Sequence, residues 1–182
     1  MNKIITNSEK ETFEFAKDLA QTLKGGETLC LVGDLGSGKT AFTKGLASGL
    51  GVEQIVTSPT FVLMKIYPIN SDHINKIVHI DAYRLLNGSD LEAIGASDYI
   101  NDKSCVTVIE WADRVYPVKL LDRYIKLNNQ KDKFIKSITL EELEIFNRVK
   151  DIWPKNCLQI NFKNLEGDNR EIEVYPVKRP TV

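Results

Sequence analysis

Eight consecutive residues carry the first chemistry legible in this chain. Gly33-Asp34-Leu35-Gly36-Ser37-Gly38-Lys39-Thr40 fit G-x-x-x-x-G-K-[ST], the pattern of a loop that cradles nucleotide phosphates. Glycines there let the backbone approach phosphate oxygens closely, and successive N–H groups then point at one anion. The backbone from Asp34 to Thr40 is the expected cradle, through Leu35, Gly36, Ser37 and Gly38. Lys39 is placed to reach the β- and γ-phosphates, and the Thr40 hydroxyl to complete the coordination of a Mg²⁺ ion.

Two acids compete for the next role. Asp81 closes the apolar run Ile77-Val78-His79-Ile80, and Glu110 closes Cys105-Val106-Thr107-Val108-Ile109. A carboxylate at the C-terminal end of such a strand faces the ligand crevice, where it can bind metal or order the attacking water. Spacing does not separate these roles. Trp111, beside Glu110, reads as a shielding aromatic or packing lid. Thr57, Ser58 and Thr60 put hydroxyls on a segment stiffened by Pro59. That segment follows the phosphate-loop helix, where nucleotide switches sense the γ-phosphate. His79 alternates with apolar positions and reads as a structural or partly exposed histidine rather than a ligand. Arg84 suits either an ion pair or a phosphate contact.

The elements that must position these residues follow from periodicity. Thr28-Leu29-Cys30-Leu31-Val32 is a buried parallel strand leading into the loop. Beyond Thr40, Phe42, Leu46, Ala47 and Leu50 recur at helical spacing, and Gly51 is placed to stop the helix. Upstream, Ile4-Ile5-Thr6 is a short edge strand. Ser8 with Glu11 forms a capping box opening a helix whose stripe is Phe13, Ala16, Leu19, Ala20 and Leu23. The start of that helix, around Ser8 to Thr12, can line a nucleotide base. Phe61 to Tyr67 is a strand turning through a loop into Ile77–Asp81, as an antiparallel hairpin. Leu91 to Gly95 is a short helix. Thr139 with Glu142 caps a helix over Leu140 to Val149, and Asn128 to Lys133 is a solvated loop. Leu158–Phe162 and Arg170–Val174 form a closing hairpin with one wet face. The implied class is α/β, P-loop NTPase-like, with a mixed central sheet flanked by helices in three layers.

Composition bounds the rest. The chain's 182 residues suit a single domain over 1–182, with ordinary globular usage of 42% hydrophobic and 27% charged residues. A formal net charge of −1 supplies no global basic field to draw the protein onto nucleic acid, so RNA contact requires a local patch or a partner. Cys30, Cys105 and Cys157 show no C-x-x-C spacing and read as buried thiols in a reducing compartment. With no signal-peptide core and no run of ~20 apolar residues, the expected location is the cytoplasm, without membrane contact.

The ordered set Gly33–Thr40, Thr57-Ser58-Pro59-Thr60-Phe61, His79-Ile80-Asp81-Ala82-Tyr83-Arg84-Leu85, Leu91-Glu92-Ala93-Ile94-Gly95 and Ile109-Glu110-Trp111 resembles the bacterial TsaE (YjeE) family. That family is the ATPase of tRNA threonylcarbamoyladenosine biosynthesis, and the likeness covers roughly Ile4 to Arg114 and the closing hairpin. The resemblance implies ATP and Mg²⁺ as cofactors, with Lys39 and Thr40 as phosphate and metal residues. It implies Thr60 in a switch-like loop, Asp81 as the acid needed for hydrolysis, and Glu110 as second Mg²⁺ ligand beside Trp111. The adenine pocket of the family draws on positions near Glu9 and near Asn169. The family acts with a TsaB–TsaD pair, in which TsaD modifies the adenosine next to the anticodon, so tRNA is reached only through that complex. The chain departs from the family at about 116–155, which reads as an insertion of some thirty residues. Asn169 also stands where the family commonly has glycine.

Rival readings of the same loop are a small-molecule or nucleoside kinase and a non-catalytic, ATP-dependent switch protein. A kinase needs an acceptor pocket and a basic lid, and the only source is the 116–155 segment, where acids dilute the bases. A GTPase is disfavoured by the lack of an N-K-x-D signature.

Overall fold

The computed structural model describes residues 2–117, 139–142, 144 and 153–178. Among them, seven strands form one sheet in the order β1-β7-β6-β2-β5-β4-β3. The strands are β1 (Asn2–Thr6), β2 (Glu27–Val32), β3 (Met64–Pro68), β4 (Lys76–Asp81), β5 (Cys105–Glu110), β6 (Asn156–Asn164) and β7 (Arg170–Lys178). The central β6, β2, β5 and β4 run parallel to one another. Antiparallel partners close each side, β3 against β4 and β7 against β6 and β1. The sheet is mixed, with β1 and β3 at its edges, and the fold is P-loop NTPase-like with helices on both faces.

Strand alternation sorts the core into two clusters. Leu29, Leu31, Val106, Val108, Ile160 and Ile172 face α1 (Glu9–Ala20) and α2 (Lys39–Gly49), where they meet Ala16, Ala20, Phe42 and Leu46. Cys30, Val78, Ile80, Ile109 and Cys157 face the other way, against Leu91 of α3 (Gly88–Ala93), Ala112, Tyr116 and Trp153. All six residues of β5 are buried, as expected of a central parallel strand covered on both sides. The three cysteines are free and buried.

Local signals explain most element ends. Ser8 Oγ accepts the Glu11 N–H at 3.1 Å, while the Glu11 carboxylate reaches one residue further back than a simple capping box, to the Asn7 N–H at 2.8 Å. Helix α2 ends as a Schellman motif: Val52 N–H donates to Ala47 O at 3.0 Å, with Gly51 at φ 87°. Thr139 and Glu142 do exchange reciprocal capping bonds, of 2.9 and 3.1 Å. The expected helix to Val149 and the loop 128–133 fall largely outside the described residues, as does most of the 116–155 segment.

Two expectations need correction. The strand expected from Phe61 begins only at Met64, because Val62 and Leu63 N–H groups turn back onto Pro59 O and Leu63 takes a φ of 64°. That turn leaves Phe61 89% exposed. The closing hairpin is wet on one face only near its tip, where Lys163 is exposed. Nearer its base the same face is buried through Cys157, Gln159 and Val177.

Candidate functional site

The loop from Gly33 joins β2 to α2 at the C-terminal edge of the sheet. Its backbone needs glycine where it needs space: a Cβ on Gly33 would stand 2.7 Å from Phe162 O, and Gly38 adopts φ 98°. Gly38 is also the N-cap of α2, and no side chain caps the helix there. The first-turn N–H groups therefore remain available at the positive end of the helix dipole, which is what an anion requires. The loop bounds a cavity of about 530 Å³.

Lys39 is folded into its own loop. Its Nζ donates to Gly33 O and Asp34 O, both at 2.7 Å, and lies 3.9 Å from the Trp111 ring centroid. Burial pulls the ammonium below its ordinary pKa, opposed by the surrounding carboxylates of Glu110, Asp113, Asp34 and Asp81. Trp111 sits at φ 58°, a left-handed conformation costly for a bulky residue, and its ring packs on Tyr83 at 5.1 Å.

Parallel pairing of β4 with β5 puts Asp81 and Glu110 directly opposite one another. Their partners differ. Glu110 Oε2 accepts the Thr40 hydroxyl at 3.0 Å, and Oε1 lies 2.8 Å from His79 Nε2. Asp81 Oδ2 accepts the hydroxyls of Ser58 and Thr60 at 3.0 and 2.8 Å, and Oδ1 accepts the Tyr83 N–H at 3.1 Å. Both carboxylates are buried. Thr40 and Glu110 together offer a hydroxyl and a carboxylate oxygen side by side, the donor set of a cation carried in with phosphates. No group of three or more His, Cys, Asp or Glu side chains suited to a metal occurs among the described residues. A Mg²⁺ ion fits here as the companion of a nucleotide, which would supply the remaining oxygens.

The cavity wall includes Glu9, Leu35, Gly36, Ser37, Gly38, Lys39, Thr40, Thr60, Asp81, Glu110 and Trp111. Asp34 and Asn169 are not on it. In place of Asn169 stands its neighbour Arg170, whose Cδ would lie 3.0 Å from a Cβ on Gly38. Arg170 Nη1 donates to Asp168 O at 2.6 Å, and its buried Nε has no partner among the described residues. Sequence reasoning passed over Arg170, although a cation opening β7 beside an expected base contact was the available signal. Among the described residues Arg84 forms no ion pair, and it is not on the cavity wall. Its Nη2 donates to Thr60 O and Phe61 O at 2.6 and 3.0 Å, so it secures the hydroxyl-bearing loop. His79 is fully buried rather than partly exposed.

The family model for threonylcarbamoyl adenosine biosynthesis protein TsaE matches residues 6–138. The tRNA threonylcarbamoyladenosine biosynthesis protein TsaE of Aquifex aeolicus is 36% identical over 135 residues, spanning 73% of this chain and 93% of that protein. The TsaE of Bacillus subtilis is 43% identical over 107 residues, spanning 59% of this chain and 64% of the relative. Among solved structures, Bacillus subtilis YdiB is similar with a TM-score of 0.61 at 29% identity, covering 97% of this chain and 85% of that one. No helix among the described residues is long and apolar enough to cross a membrane.

Proposed function

The chain belongs to the TsaE family of tRNA threonylcarbamoyladenosine biosynthesis, and we propose that it serves there as a Mg²⁺-dependent ATPase. The observation that carries this reading is the contact of Glu110 Oε2 with the Thr40 hydroxyl at 3.0 Å, beside the phosphate loop and in register with Asp81. Thr40 and Glu110 would hold the metal. When bound, Mg²⁺ neutralises charge on the β- and γ-phosphate oxygens.

The chain's own residues do the rest. The N–H groups opening α2 bind phosphate oxygens, and Lys39 exchanges its loop carbonyls for the β- and γ-phosphates as charge develops in transfer. Asp81 orients the attacking water, either directly or through the hydroxyls of Ser58 and Thr60 that it already binds. Trp111 covers the phosphate end and keeps bulk water from it. Glu9 and the tip of the β6–β7 hairpin flank the base, with Arg170 adding a cation beside Gly38. With Arg84 engaged by backbone carbonyls, the isolated protein turns over slowly. Activation comes from the TsaB–TsaD pair, and tRNA is engaged through that complex.

The test measures phosphate release by purified protein, alone and with TsaB and TsaD, for the wild type and Lys39→Ala. The expected result is stimulation by the pair and a loss of at least about 10²-fold in the variant. Full activity alone that Lys39→Ala leaves unchanged would sink the proposal. In cells, depletion should remove threonylcarbamoyladenosine from tRNA, with rescue by wild type and not by Lys39→Ala.

A further inference from the structure

Beside the pair of Thr40 and Glu110 lies a buried polar side chain without an assigned task. His79 lies in β4 on the sheet face that carries Glu110 and has no exposed surface. Its Nε2 is 2.8 Å from Glu110 Oε1, and because an ionised carboxylate only accepts, the ring donates its Nε2–H. Its Nδ1 is buried with no partner among the described residues. Ile77, two residues before it on the same strand face, and Val108, its register partner on β5, are apolar and fully buried. A leucine would fill such a place without leaving a buried nitrogen unpaired. The ring's hydrogen-bonding capacity is directed at one oxygen of one carboxylate.

The other oxygen of that carboxylate, Oε2, is the one beside the Thr40 hydroxyl. Each Glu110 oxygen thus has its own partner, and the two partners lie on different elements, β4 and α2. We infer that His79 is a positioning residue that ties down Oε1, so that Glu110 presents a single oxygen to the metal position and the site selects Mg²⁺ over Ca²⁺. This rests on the Mg²⁺-ATP reading above. Mg²⁺ requires a small, near-octahedral shell and takes one or two carboxylates together with substrate phosphates. Ca²⁺ takes six to eight oxygens and accepts a carboxylate through both. A carboxylate with one oxygen held in a buried hydrogen bond does not readily offer both.

The experiment is binding of a non-hydrolysable ATP analogue to the full chain, titrated separately with Mg²⁺ and Ca²⁺. It compares the wild type with His79→Leu, which removes the donor, and with His79→Gln, whose carboxamide can donate from near the Nε2 position. The wild type should bind the analogue at much lower Mg²⁺ than Ca²⁺. His79→Leu should raise the Mg²⁺ needed for half-maximal binding by about 10–100-fold and shrink the preference between the ions, while His79→Gln restores it. If the leucine variant does not fold, His79→Asn replaces it, being too short to reach Oε1, and should lose the preference that His79→Gln keeps. A folded leucine or asparagine variant with the wild-type ratio of Mg²⁺ to Ca²⁺ requirement overturns the assignment and leaves the ATPase reading intact. Wild-type binding that needs no divalent ion at all overturns both.

Discussion

Asp81 and Glu110 stand at the ends of adjacent parallel strands, opposite each other in register and both buried, yet they belong to different machinery. Glu110 is fixed between a core histidine and the first turn of α2. Both of those partners sit in regular elements, β4 and α2. Asp81 instead gathers a loop. It accepts two hydroxyls from the segment around Pro59, and Arg84 holds the carbonyls of Thr60 and Phe61 beside it. In the proposed mechanism that difference lets one sheet edge serve two roles: an acid braced by the scaffold suits a metal, and an acid braced by a loop suits a step that responds to the loop's arrangement.

Four substitutions would break or sharpen that contrast. The largest effect is expected from Asp81→Asn, which should lower the hydrolysis rate by about 10²–10⁴-fold, the range for a positioned base or water-orienting group. Its binding of Mg²⁺-nucleotide should change little. Glu110→Gln keeps the shape and removes the charge, so hydrolysis at low Mg²⁺ should fall about 10–100-fold and recover in part as Mg²⁺ is raised. No such recovery should accompany Asp81→Asn, and hydrolysis measured across a Mg²⁺ series separates the two. Thr60→Val removes one of the two hydroxyls on Asp81. A loss of about tenfold in rate, with an unaltered Mg²⁺ requirement, would place Thr60 on the Asp81 side of the site. The smallest effect should come from Arg84→Ala. Two charge-assisted bonds to backbone carbonyls go, and protease nicking of the exposed segment near Phe61 should rise several-fold while Mg²⁺-nucleotide affinity holds.

Much of this architecture was legible because local pattern encodes it. The glycine spacing of 33–40, the capping residue Ser8, the glycine after α2 and the apolar runs of β2, β4 and β5 are short-range signals, and each maps onto the element it implies. The strand expected from Phe61 was not, because a turn on Pro59 and the grip of Arg84 on two carbonyls override the β-prone residues between them. The site divided along the same line. Periodicity shows which face of a strand a residue takes, but not which neighbour it meets. His79 and Glu110 are 31 residues apart and become partners only once β4 pairs with β5. The competition between Asp81 and Glu110 had the same origin: both end apolar strands, and only the side chains packed against each one tell them apart. Arg170 reaches the phosphate loop because β7 starts beside Gly38, a closeness that nothing in the spacing from residue 38 to residue 170 reveals.

The most direct test of the division between the two acids is a Mg²⁺ titration of non-hydrolysable ATP-analogue binding, run in parallel on the wild type, Glu110→Gln and Asp81→Asn. Glu110→Gln should shift the Mg²⁺ requirement upward by about 10–100-fold while Asp81→Asn follows the wild-type curve. Equal shifts in the two variants, or a shift confined to Asp81→Asn, would contradict it.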